Sequence, residues 1–326
     1  MRSPLLDEPG AVAAEAPDTD VAAHYGDPFA EQRALAAGEA VVDRSNREVV
    51  RIAGPDRLTW LNNLTSQKLV DLQPGEPTQT LLLDPQGRVE HHLMLVDDGE
   101  AVWAHVEPGT AAELTAFLEK MRFMLRVEVS EETARYAVVS HAGGEIDLPP
   151  GAIAMGEDVL LPRELLPEHL GRRLAGLWAY EALRIEAHRP RQGFETDHKT
   201  IPHEVGWIGT AVHLSKGCYR GQETVARVHN LGHPPRRLVF LHLDGSVDVL
   251  PPHGAEVTAD GEQVGFVGSS VRHHELGPIA LALVKRTVPV DAPLLAGGVA
   301  ATQEVIVPPD AGRNVTIDPA LRRRLR

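Results

Sequence analysis

KGCYRGQE, residues 216–223, holds the only cysteine in a chain of 326 residues. Gly217 and Gly221 permit close backbone approach and dihedrals closed to other residues, so the segment reads as a shaped loop and not a strand interior. Lys216 and Arg220 would favour a thiolate if they lay against the sulfur, which makes Cys218 a candidate nucleophile or soft metal ligand. The plainer alternative is a small buried hydrophobe, the common use of a lone thiol. One cysteine forms no intramolecular disulfide, in keeping with a reducing compartment, and no CxxC or HExxH pattern points to zinc. An iron–sulfur cluster held by this chain alone is excluded by ligand number, so Cys218 can lend at most one ligand to a site shared with a partner. A Cys–His hydrolase using His213 or His229 finds nothing in the sequence to fix its geometry.

Outward from this loop, residues 190–235 are rich in Gly, Pro and His and show little periodicity, as functional loops do. From Arg237 the pattern changes to short strands, RLVFLHL, AEVTA, EQVGFVGSS, IALALVKR and ATQEVIV, separated by Gly, Pro and Asp. Such spacing predicts a small antiparallel barrel or sandwich. Towards the N-terminus, REVVRIAGPDRLTWLNNL predicts a strand, a Gly-Pro break and a helix carrying Leu58, Leu61 and Leu64. TQTLLLDPQGRVEHHLMLV predicts two strands around Asp84-Pro85-Gln86-Gly87. GTAAELTAFLEKM predicts a helix with Thr110 and Glu113 at capping-box spacing, followed by the strand LRVEV. A second helical stretch is expected from about Arg163 through LWAYEALRIEA, ending before Pro190. Strands mixed with single helices in this order give an α+β class, not a doubly wound sheet. The domain reading is a mobile lead-in over 1–38, two α+β lobes over 39–235, a C-terminal β-barrel over 236–310 and a basic tail over 311–326.

The formal charge of −14, with 46 acidic against 32 basic side chains, argues against nucleic acid as the main partner. Basic residues gather late, in RVHNLGHPPRR and LRRRLR, where a local anion site remains open. No apolar run reaches the roughly 18–20 residues of a membrane helix, and the N-terminus lacks a leader pattern, so the expectation is a cytoplasmic protein without a membrane partner. The histidines, among them His188, His203, His213 and His229, show no metal-ligand spacing.

K-G-C-Y-x-G-Q-E followed by V-A-R resembles the signature of the YgfZ family, within the superfamily of the glycine cleavage T-protein, a tetrahydrofolate-dependent aminomethyltransferase. Weaker blocks in the same order extend the resemblance over most of the chain: VVDRSNREVVRIAGPDRLTWLNNLTSQKLVDLQPG, RIEAHRPRQG, VGFVGSSV and IALALVKR. The resemblance implies a three-lobed fold, with two α+β lobes around a central folate cavity and a C-terminal barrel. It also implies that Glu186 binds the pterin, since a carboxylate's two acceptors match the ring N–H and the amino group of the pterin edge. Arg227 and Arg237, with Gly232 between them, match basic positions suited to the carboxylates of the folate tail. Tyr219 is then a candidate to stack on the ligand, and Lys216 a further folate contact. Without the resemblance, Glu186 reads as an exposed helix-end acid, the arginines as solvated charge and Tyr219 as core.

One departure stands out. The block equivalent to GRVEHHLML carries, in the aminomethyltransferases, an aspartate that assists the amine chemistry, and here His91 and His92 take its place. Neighbours in a strand face opposite ways, so only one histidine can face the cavity. Loss of the carboxylate removes the group suited to a cationic iminium-like centre or its proton, and makes glycine cleavage an unexpected activity. The expected function is that of a tetrahydrofolate-binding accessory protein for assembly or repair of iron–sulfur enzymes, with tRNA-modifying enzymes among the clients, a part in oxidative stress, and Cys218 as the working thiol. The alternatives are a folate-dependent one-carbon transferase and a passive folate-binding module.

Overall fold

The computed structural model describes residues 1–144 and 146–315. The basic run LRRRLR lies outside the described residues. The N-terminal segment comprises a 3-10 turn (Pro4–Asp7), a two-stranded ribbon of β1 (Val12–Ala13) and β2 (Ala22–His24), and helix α1 (Pro28–Ala36). Asp27 starts α1 by accepting the Ala30 N–H, and Pro28 follows as the first helical residue, whose missing N–H costs nothing there. Leu5, Val21, Ala22 and Ala23 are buried, which corrects the expectation of a mobile lead-in. Composition rich in Ala, Pro and acids concealed a few apolar residues that dock on the body, where Gly176 leaves room for the Ala23 carbonyl.

Strands β3 (Ala40–Asp43) and β4 (Glu48–Ala53) follow, joined by the turn that carries Arg44 and Arg47, and then helix α2 (Arg57–Leu64). Next come β5 (Pro77–Leu83), β6 (Val89–Asp97), β7 (Ala101–Val106), helix α3 (Ala111–Met121) and β8 (Glu128–Glu131). The first lobe is the sheet β5-β6-β7-β4-β8, antiparallel throughout. One face packs Val50, Ile52, Leu93 and Leu95 against Trp60, Leu61, Leu114 and Leu118 of α2 and α3. Each such buried leucine contributes roughly 1.5–3 kcal/mol. The capping box expected at α3 does not form: Thr110 donates to the Glu107 carbonyl, and Glu48 accepts the Ala111 N–H.

The second lobe draws on β3 together with β9 (Tyr136–His141), β10 (Ile153–Met155), β11 (Asp158–Pro162) and β12 (Arg173–Ala175), in the order β10-β11-β9-β3-β12. The helix expected from Arg163 is interrupted: Pro167 and the left-handed Gly171 limit Arg163–Gly171 to 3-10 geometry, and β12 precedes helix α4 (Leu177–Glu186). Within the expected loop of 190–235 lies a further helix, α5 (Gln222–Leu231). The barrel closes as β13-β16-β15-β14-β17-β18, from β13 (Arg236–Leu243), β14 (Glu256–Ala259), β15 (Glu262–His273), β16 (Gly277–Lys285), β17 (Leu294–Ala296) and β18 (Val299–Val305). The fold is thus α+β with a closed six-stranded antiparallel barrel, as the spacing predicted. Gly268 in β15 sits against Glu195, where a Cβ would approach the carboxylate carbon to 2.8 Å, so β15 bulges past the loop after α4. No helix among the described residues is long and apolar enough to cross a membrane.

Candidate functional site

A cavity of about 670 Å³ opens between the lobes, α4 and the loop that follows it. The alternation of β6 decides what reaches it. Leu81 pairs with His92 and Leu82 with His91 across β5 and β6, so the two histidines face opposite ways. His92 and Met94 line the cavity, whereas His91 is turned to the other side. The His92 ring lies 4.6 Å from Trp207, and Nε2 is 2.7 Å from Gln79 Oε1. Burial, aided by the Arg47 charge, pulls His92 down to about 3, so it is a neutral imidazole at physiological pH. Tyr180 presents the other large ring of the wall, with the Arg44 guanidinium 3.9 Å from its centroid.

Behind the rings stands a buried network of charges. Arg47 donates from Nε to His105 Nδ1 at 2.7 Å, which leaves the His105 proton on Nε2, facing Asp158 Oδ2 at 2.8 Å. Burial first, then the Arg47 charge, takes His105 down to about 4. Burial opposes ionisation of Asp158, but Arg44, His105 and Ser140 outweigh it and hold its carboxyl far below the usual range. Glu107 is held down in the same way by Arg47 and Arg191, again against burial. Arg191 also forks onto Asp18 at 2.7 and 2.8 Å, and Asn46 donates to the same carboxylate, so the N-terminal segment completes the wall. The carboxylates lining the cavity are Glu107, Glu157 and Asp158, and each has a cationic partner: Arg189 for Glu157, Arg44 for Asp158, Arg47 and Arg191 for Glu107.

None of Cys218, Glu186, Lys216, Tyr219, Arg227 and Arg237 lines this cavity. Glu186 ends α4 with a half-exposed side chain whose Oε2 lies 3.3 Å from His273 Nε2. Arg227 is exposed and paired with Glu223 one turn away. Arg237 is fully buried in the barrel, donating to the Val288 carbonyl and Gln303. Tyr219 belongs to the core shared by the barrel and β5. The residues that make the wall, Arg44, Arg47, His105, Glu107, Asp158 and Arg191, were not singled out from the sequence. The available signal was charge placed inside or beside apolar strands, as in VVDRSNREVV and VWAHVE.

The thiol-bearing loop is a separate feature. Cys218 is exposed. Lys216 is buried, and its ammonium donates to the carbonyls of Asn62, Thr65 and Gln67 at 2.5–2.7 Å, tying the loop to the C-terminal end of α2. Arg220 is bound to Glu90, 2.6 Å away. Both cations therefore have partners other than the sulfur. Lys216→Met should lower stability by about 1.5–3 kcal/mol, the usual worth of hydrogen bonds to a charged group, and should speed hydrogen exchange over 214–220. Wild-type exchange there would show that the tether does not hold the loop.

Comparison with known proteins places the chain in context. Residues 5–145 match the family model described as the GCVT N-terminal domain, and residues 236–320 that of the glycine cleavage T-protein C-terminal barrel domain. The chain is 27% identical over 276 residues to a chloroplastic protein of Arabidopsis thaliana named a "putative transferase", covering 71% of this chain and 62% of that protein. It is 29% identical over 311 residues to the aminomethyltransferase of Geobacillus kaustophilus, covering 79% and 82% of the two. The crystal structure of glycine cleavage system aminomethyltransferase T from Bartonella henselae shares the fold, with a TM-score of 0.77 at 19% identity over 96% of this chain and 98% of that one.

Proposed function

The chain belongs to the glycine cleavage T-protein superfamily, and on that footing we propose that it binds a tetrahydrofolate in the central cavity and serves iron–sulfur enzymes through Cys218, without transferring an aminomethyl group. The cavity suits a folate: it has the volume of a small-molecule site, large rings from Trp207 and Tyr180, and hydrogen-bonding groups on Gln79, His92, Glu107 and Asp158. Glu186 does not line the cavity, and the acceptors for the pterin edge would be lone pairs that Glu107 or Asp158 keep although an arginine already matches the charge. The bound folate would supply a reduced pterin able to carry a one-carbon group; the protein would supply orientation and exclusion of water.

The observation that carries the departure from amine chemistry is that, among the described residues, no carboxylate lining the cavity lacks a cationic partner. Each is matched to an arginine, and His92, in place of the expected aspartate, is neutral. A cationic amine centre finds neither a free anion nor a base of suitable strength. Support for the thiol's role comes from its exposure on a loop anchored at Lys216 and Arg220, together with the KGCYRGQE signature.

In a strain lacking the gene, activities of iron–sulfur enzymes, including a radical-dependent tRNA thiolation enzyme, should fall, and wild type but not Cys218→Ala should restore them. Full rescue by the alanine variant would remove the thiol from the function, and no loss in the deletion would remove the iron–sulfur role. Catalytic formation of a modified folate from methylene-tetrahydrofolate and an amine would reinstate the transferase reading.

A further inference from the structure

Among the described residues five arginines line the central cavity, and four of them are spoken for. Arg44, Arg47, Arg184 and Arg191 have side chains 4–8% exposed, each bound to one or more buried carboxylates. A ligand could recruit one of these only by leaving a buried acid without its counter-charge, which is strongly unfavourable. Arg189 differs. Its side chain is 47% exposed, and its Nη1 meets Glu157 Oε2 at 2.5 Å on a glutamate that is itself 55% exposed.

The two residues come from different parts of the fold. Glu157 sits in the turn between β10 and β11, next to the left-handed Gly156, and Arg189 follows α4 immediately after His188, which is also left-handed. Pro77, Gly156 and Ala187, exposed lining residues beside them, mark this as the cavity mouth. The pair therefore bridges the mouth from the second lobe to the end of α4. An ion pair this exposed contributes little to stability, so its anion exchanges readily. A guanidinium also presents a planar fork that takes a carboxylate through two parallel hydrogen bonds.

We propose that Arg189 reads the anionic end of the cavity's ligand, leaving Glu157 to fork onto an entering carboxylate, and that Glu157 is a built-in competitor that sets how strongly a carboxylate is favoured. Resting on the folate reading above, this makes the glutamate-tailed folates the preferred class over tail-less pterins. A ligand whose outer end is neutral leaves the Arg189–Glu157 pair intact and draws nothing from it.

The test is calorimetric titration, without oxygen, of wild type, Arg189→Gln and Glu157→Gln with tetrahydrofolate and with 6-methyltetrahydropterin, which has no tail. Arg189→Gln should weaken tetrahydrofolate about ten-fold and leave the tetrahydropterin unchanged. Glu157→Gln should tighten tetrahydrofolate several-fold, again without effect on the tetrahydropterin. Equal changes for both ligands, or none for either, would overturn the assignment while leaving folate binding in place. Failure of wild type to bind either ligand would overturn both readings. Each substitution exchanges one exposed charged side chain for a neutral polar one, and unchanged thermal midpoints would confirm that the comparison is between folded proteins.

Discussion

Arg184→Leu is expected to lower stability by about 3–5 kcal/mol, the usual cost of removing one partner from a buried charge network. Its guanidinium, in a side chain 4% exposed, donates to Glu181 at 2.6 Å, to Ser269 Oγ at 2.7 Å, to the Arg189 carbonyl at 2.6 Å and to Glu195 at 3.2 Å. Those partners belong to α4, the loop after it and the barrel, so one side chain joins three parts of the chain. Leucine fills part of the space but takes the nearest cation from Glu181 and the buried Glu195, leaving Arg191, 3.9 Å from Glu181, and Arg44 as the charges that still act on Glu181. Denaturant unfolding should show the midpoint falling with little change in slope. Arg184→Lys, which keeps the charge and loses the fork, should fall between. A loss below about 1 kcal/mol would mean that the acids find other partners or are already neutral.

What could be read from the sequence were features written locally. The barrel strands alternate at period two between turn residues, and His91 and His92 had to face opposite ways because adjacent strand residues do. Helix α5 escaped because the glycines, prolines and histidines around it read as loop. Docking of the lead-in escaped because its anchors are few, Leu5 and Val21–Ala23. The charged wall was beyond any local reading: Asp18 and Arg191 are 173 positions apart, and Arg47 and Glu107 are 60 apart.

The signature loop shows the same division between pattern and role. Lys216 is used up by three carbonyls, Tyr219 by the core and Arg220 by Glu90. Gly221, at a φ of +81°, lets the backbone close on the Asp84 carbonyl, where any Cβ would collide. The sequence showed that these residues belong together but not that most of them serve packing, because the acceptors of Lys216 are backbone oxygens that no side-chain pattern encodes. Cys218 is exposed, and that is why the proposed function is placed on it.

Acidification from pH 6.5 to 5 is expected to cost on the order of 5 kcal/mol of stability through three imidazoles alone. Burial takes His92 down to about 3, with Arg47 assisting; it takes His105 to about 4, again with Arg47, and His203 to about 4, with His229. An unfolded histidine titrates near about 6.5. Above that pH neither state binds these protons and stability is flat in them. Between about 6.5 and 4 the unfolded chain is protonated where the folded chain is not, so each imidazole removes roughly 1.5–2 kcal/mol by pH 5. The depressed carboxylates Glu107 and Asp158 act in the same direction but only at lower pH, as the unfolded acids begin to take up protons. Unfolding free energies measured at several pH values between 5 and 7.5 should therefore fall steeply on the acid side. His203→Phe isolates one contribution. Both ring nitrogens of His203 are buried without a partner, so phenylalanine should preserve stability at pH 7.5 and remove roughly 1.5–2 kcal/mol of the loss by pH 5. An unaltered slope in this variant would mean that His203 is protonated in the folded protein, with its charge met by a group that moves to reach it.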